Sequence, residues 1–161
     1  MKWLSIGLSV ALGLLLLVPS SVRAIATETP YHVTGTVLHI GNPVRIWVDD
    51  EGVRHVRGRL IMQALAGDFV GTRVANQSLN IEVSTGNGDG FGSFVETVEW
   101  QGLHGTFEGR LTIVSTGGSF VVTTEGHGTG DFEGMQNREV FSAAIGVPTF
   151  EGDGIVLNPH G

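Results

Sequence analysis

The stretch FVETVEW, residues 94 to 100, sets one carboxylate where it could do chemistry. In an extended chain, positions two apart share a face, so Glu96 stands with Phe94, Val98 and Trp100. A carboxylate among large apolar groups is costly to bury as an ion, and its pKa is driven upward unless a cation pairs with it. Such a group can hold or release a proton near neutral pH. His39 is the second candidate. Alternation in YHVTGTVLHI, residues 31 to 40, puts it on one face with Val33 and Val37. If both side chains faced one cavity they would form an acid–base pair. The competing reading pairs Glu96 with an arginine such as Arg57 or Arg59, or turns that face to solvent. It makes His39 the polar end of a strand.

Other chemistries find less support. Gly128-Thr129-Gly130 has neither the lysine nor the following helix of a phosphate loop. GNGDG at 86 to 90 partly resembles a calcium-binding glycine–aspartate repeat, but it occurs once and reads as a turn. Asp49-Asp50-Glu51 before Gly52 reads as a solvated turn. The histidines at 32, 39, 55, 104, 127 and 160 show no i, i+4 pair, and the chain has no cysteine, so no metal is expected. The same lack of cysteine, together with the lack of a G-x-S-x-G elbow, leaves no marker of a nucleophile. No cofactor is expected.

The elements that must position Glu96 and His39 are strands. Alternation at period two is broken every ~8–12 residues by Gly, Asn or Asp, the signature of a sandwich or barrel. Strands are predicted at 31–40, 44–48, 53–65, from Phe69 to Val74 after a corner at 66–68, and at 78–84. Further strands are predicted at 91–101, 106–115, 118–125, 138–145 and 149–157. The short connections favour antiparallel pairing. Phe-x-Gly recurs at Phe69-Gly71, Phe107-Gly109, Phe132-Gly134 and Phe150-Gly152. Each is read as a ring beside a glycine on one face, where a curling sheet can bend. GTGDFEGM, residues 128 to 135, is accordingly read as a barrel corner.

The chain as a whole bounds the rest. Lys2, an apolar run over residues 6–18, Pro19 and a small residue at Ala24 make a secretory signal, so the expected organisation is a leader at 1–24 and one domain at 25–161. The protein is expected outside the cytoplasm, in a periplasm or secreted, and free of the membrane once cleaved. Nine basic residues stand against 16 acidic ones, a net charge of −7, which disfavours nucleic acid as a partner.

GTGDFEGM, preceded by GSFVVTTEGH and followed by a strand into FSAA, resembles the closing segment of the allene-oxide-cyclase-like barrel superfamily, which includes dirigent proteins. Gly128, Thr129, Gly130, Phe132 and Gly134 carry the match. The resemblance implies an eight-stranded antiparallel barrel with an apolar lumen, often in dimers or trimers, and in some members the guiding of a cyclisation or radical coupling. The glutamate that the cyclases carry near the first strand has no counterpart here. Together these observations predict an all-β, closed, calycin-like barrel of roughly eight strands after an N-terminal signal helix. The lumen is expected to bind a small apolar or aromatic molecule against Phe94, Val98, Trp100, Phe120 and Val37, or the barrel serves as an extracellular scaffold. The alternative is an isomerase or cyclase in which Glu96 and His39 move a proton.

Overall fold

The structure, a computed structural model, describes residues 26–159. The expected leader and its helix lie outside the described residues. Nine strands follow in order: β1 (Thr27–Ile40), β2 (Arg45–Val48), β3 (Val53–Gly67), β4 (Val70–Glu82), β5 (Gly88–Trp100), β6 (Leu103–Thr116), β7 (Ser119–Gly130), β8 (Gln136–Ala144) and β9 (Thr149–Asn158). Every pairing is antiparallel. From β3 to β9 each strand pairs with the next, and β1 pairs with both β9 and β3, closing a barrel of eight strands. The short β2 is a ninth strand, attached to β3 alone. No helix occurs among the described residues.

The sequence-based strands map onto these elements, with local differences. β4 runs unbroken from Val70 to Glu82, because Ala75-Asn76-Gln77 contains no Gly or Pro and continues the alternation, with Asn76 on the outer face. Gly88-Asp89-Gly90 is not turn but the start of β5. GTGDFEGM is a corner: Gly128–Gly130 end β7, and residues 131–134 form the turn before β8, with Gly134 at φ +81°.

Two irregularities disturb the alternation. In β1 the register with β3 slips between Val37 and His39. In β3, Val56 faces Leu79 and Arg59 faces Gln77, so one extra residue is inserted beside Gly58, which adopts φ +66°. Such a bulge bends the strand and lets Val56 and Arg59 point the same way.

Inside, rings lie over glycines, but the glycine belongs to the neighbouring strand. Directly opposed positions share a face. Opposed pairs of this kind are Tyr31 with Gly154 and Phe150 with Gly35, while Phe141 opposes Gly152 and the Phe94 ring lies against Gly126, two strands away. A methyl group at Gly35 would fall inside the Phe150 ring, and one at Gly154 inside the Tyr31 ring. The device read as Phe-x-Gly along one strand is therefore chiefly a cross-strand one. The lower end of the barrel, defined by the turns at 68–69, 101–102 and 131–135, is filled by rings. Phe69 stacks on Tyr31 with centroids 4.0 Å apart, Phe107 stacks on Phe132 at 4.7 Å, and Trp100 meets Phe69 edge-on at 5.8 Å. Each such pair contributes about 0.5–1.5 kcal/mol beyond its buried area.

Candidate functional site

Above the aromatic floor the lumen holds a buried ionic cluster. Arg73 on β4, Glu96 on β5 and Glu139 on β8 are within 1% of complete burial. Alternation puts them inside: Arg73 follows the phase of Ala75, Glu96 that of Phe94 and Val98, and Glu139 that of Asn137 and Phe141. The Arg73 Nε donates to Glu96 Oε2 at 2.8 Å, and its Nη2 lies 2.6 Å from the same oxygen and 2.7 Å from Glu139 Oε2. Asn137 Nδ2 donates to Glu96 Oε1 at 2.5 Å, and the Tyr31 hydroxyl donates to Glu139 Oε2 at 3.2 Å. The guanidinium lies over the rings of Phe141 and Phe94, at 5.2 and 5.6 Å.

This arrangement decides the charge states. Burial pushes the Glu96 carboxyl above its ordinary value and Glu139 adds to the push, while Arg73 and Asn137 pull it back. Burial opposes the charge on Arg73, but Glu96 and Glu139 outweigh it and hold the guanidinium protonated. Burial, then the two carboxylates, raise the Tyr31 hydroxyl far above its usual range, so it remains a donor. Several polar atoms of this interior have no partner among the described residues: Arg73 Nη1, Glu139 Oε1, Asn137 Oδ1, Thr124 Oγ1 and Gln63 Oε1.

The upper end differs. Val37, Arg59, Ile61, Gln77, Phe120 and Ala143 are only half-buried. Register nevertheless places them on the inner wall. Val37 opposes buried Gln63, and Ile61 opposes buried Ala75. Arg59, Gln77, Gly92, Leu111 and Thr124 form one row across β3 to β7, with Leu111 and Thr124 buried. Phe120 opposes buried Ser115 and half-buried Ala143. These half-buried positions lie toward the end where the connections at 41–44, 49–52, 83–87, 117–118 and 145–148 gather, while Val56, Leu79, Ile113 and Ser115 at the same end are buried. An open depression of about 770 Å³ is lined by small exposed side chains such as Thr34, Thr36, Ser142 and Thr149, and it shares Phe120 and Ala143 with the inner wall. No residue of β4, β5 or β6 lines it, which places it on the outer wall of β7, β8, β9, β1 and β3.

Glu96 is inside with Phe94, Val98 and Trp100, as alternation indicates, and it is paired. Its partner is Arg73, not Arg57 or Arg59. Arg57 sits in the β3 bulge on the outer wall and donates to the Val56 and Leu79 carbonyls and to Asn80. His39 does not join Glu96: past the register slip in β1 its side chain is exposed. The five residues proposed to line a ligand divide into two groups. Phe94, Val98 and Trp100 are packed into the middle and lower core, while Val37 and Phe120 stand at the upper mouth. Sequence reasoning missed Arg73, Glu139 and Tyr31. Each has an apolar neighbour two residues along its face, Ala75, Phe141 and Val33 respectively, a weaker form of the signal that singled out Glu96. Among the described residues no cluster of three or more His, Asp or Glu forms a metal site.

No family model and no curated protein matches the chain. A search of solved structures finds a similar fold in a protein of unknown function from the DUF3224 family of Shewanella oneidensis. The likeness has a TM-score of 0.60 at 12% identity and covers 83% of this chain and 97% of that one. At that identity the likeness is one of fold, a β-barrel.

Proposed function

We propose that this protein is a binding barrel without chemistry of its own, which takes a small apolar or aromatic guest into the upper end of its lumen. One observation carries the reading. Inward-facing Val37, Ile61 and Phe120 stay half exposed at that end, whereas inward-facing Phe69, Phe107 and Phe132 at the other end are fully buried. A concave apolar surface with a few polar groups is what small-molecule sites share, and an eight-stranded barrel has room for one small ligand. The buried ions floor this space and give it a fixed shape. With a cleaved leader, the guest would be met outside the cytoplasm.

Native mass spectrometry of the protein purified from its source tests the reading. The expected result is a mature mass beginning near residue 25, with a bound small molecule that dissociates on activation and is absent from an Ile61→Asp variant. A guest retained unchanged by Ile61→Asp would place binding elsewhere and defeat the proposal.

A second reading, an isomerase or cyclase of the allene-oxide-cyclase-like kind, has one observation in its favour: the raised proton affinity of Glu96. Against it, both Glu96 oxygens are already engaged by Arg73 and Asn137. Under this reading Glu96→Gln stops turnover of a substrate while leaving its binding intact. Under the binding reading it leaves guest affinity unchanged and there is no turnover to lose.

A further inference from the structure

We infer that the guest carries an anionic head, a carboxylate or another oxyanion on an aromatic or short apolar body, and that Arg59 binds this head. The inference rests on the binding reading above and specifies its ligand. Two arginines other than Arg73 occupy inward positions, Arg59 and, nearer the rim, Arg54, which opposes Ile81 in the row that continues through Gly88 and Ser115 to Phe120. Arg73 is claimed by two carboxylates. Arg59 makes no ion pair among the described residues, and its Nε is buried without an acceptor. The inward-facing acids nearby, Glu96 and Glu139, are both spent on Arg73.

A half-buried guanidinium with a buried, unsatisfied N–H is an expensive thing to leave in a lumen, since a charged donor without a partner loses its solvation for nothing. An oxyanion entering the mouth would accept from the two Nη groups of Arg59, which make no hydrogen bond among the described residues, in the forked geometry that guanidinium offers. The apolar part of the guest would lie against Val37, Ile61 and Phe120. The protein bears a net charge of −7, so its overall field repels anions. Selection of an anionic head is therefore a local property of this mouth and not of bulk electrostatics.

Two probes with the same fused rings separate the head from the body. 8-Anilino-1-naphthalenesulfonate is anionic, and N-phenyl-1-naphthylamine lacks the sulfonate. Fluorescence titrations would use the purified full chain, Arg59→Gln, Arg59→Lys and Ile61→Asp, each first checked for native near-ultraviolet circular dichroism. The expected result is that Arg59→Gln weakens the sulfonate probe about 10- to 100-fold, leaves the neutral probe unchanged, and that Arg59→Lys recovers most of the loss. If Arg59→Gln fails to fold, the Arg59→Lys protein carries the test through its preference for the anionic over the neutral probe. Equal affinity of both probes in wild type and in the Arg59 variants overturns the anionic head while leaving the binding reading in place. Binding of neither probe, or binding indifferent to Ile61→Asp, overturns both.

Discussion

Arg73 illustrates how one side chain can hold a barrel's interior together. Its guanidinium neutralises Glu96 and shares Glu139, and neither carboxylate has any exposure. Removing it by Arg73→Leu strands two acids in a medium that solvates neither, and breaking a buried ionic group this way costs about 3–5 kcal/mol. Urea denaturation should show a loss of that order. Glu96→Gln is milder, at about 1–2 kcal/mol, because the Asn137 amide can turn its free Oδ1 toward the new N–H. Wild type and Glu96→Gln also differ in their response to pH. Glu96 binds its proton more tightly folded than unfolded, so its contribution is fully present below its ordinary value of 4.5 and is lost as pH rises through the higher folded value. His32, raised by its hydrogen bond to Asp153, adds a slope of the same sign around its own range. Melting temperatures measured across mildly acidic to neutral pH should therefore fall with rising pH more steeply in wild type than in Glu96→Gln. Parallel curves would show that Glu96 is ionised throughout. Among single residues, Glu96 was legible because its face was otherwise apolar. Arg73 was hidden by an assumed break between Val74 and Ser78, and with β4 drawn whole the same alternation would have placed it inside.

At the scale of elements, the barrel depends on matching a ring in one strand to a glycine in the next. Gly35 and Phe150 are opposed across β1 and β9, and no side chain fits at position 35 while the ring is there. Gly35→Ala is expected to cost about 1–3 kcal/mol through overpacking, and Gly35→Ala combined with Phe150→Leu should recover part of that loss. Thermal unfolding of the four proteins of this cycle checks it, and additive losses would show that the two positions are not coupled. The abundance of glycine and its recurrence near phenylalanine were visible in the sequence. The pairing was not, because opposed residues such as Tyr31 and Gly154 are set by register between distant strands. The bulges were equally hidden. The extra residue near Gly58 separates Arg57, outside, from Arg59, inside, which an unbroken strand would set on one face, and the slip after Val37 carried His39 away from the lumen. Alternation specifies faces only while it is unbroken, so the candidates that failed to meet lay beyond such interruptions.

At the scale of the whole molecule, closure joins the beginning of the chain to its end. β1 pairs along its length with β9, whose residues follow it by more than 100 positions, as Thr36 opposite Thr149 shows. Chains dominated by such distant pairings fold slowly, on the order of milliseconds to seconds. Stopped-flow refolding followed by Trp100 fluorescence should fall in that range, and a microsecond phase carrying the full amplitude would contradict it. Strand number and spacing left sandwich and barrel open, and closure was expected from the Phe-x-Gly bends and the family resemblance. The offset between the two closing strands was not. β1 meets β3 only from Val33 onward, and His32 is held by Asp68, so its first five residues pair with β9 alone, and the upper part of β3 is covered by β2 in its place. The seam is stepped, with a bare length of strand at the bottom and a four-residue flap at the top. Unsatisfied strand borders are where identical molecules zip together into fibres. Pro30 lies in the bare length and has no N–H to offer an incoming chain, and β2 is too short to template one. The stepped seam thus carries its own safeguards against polymerisation.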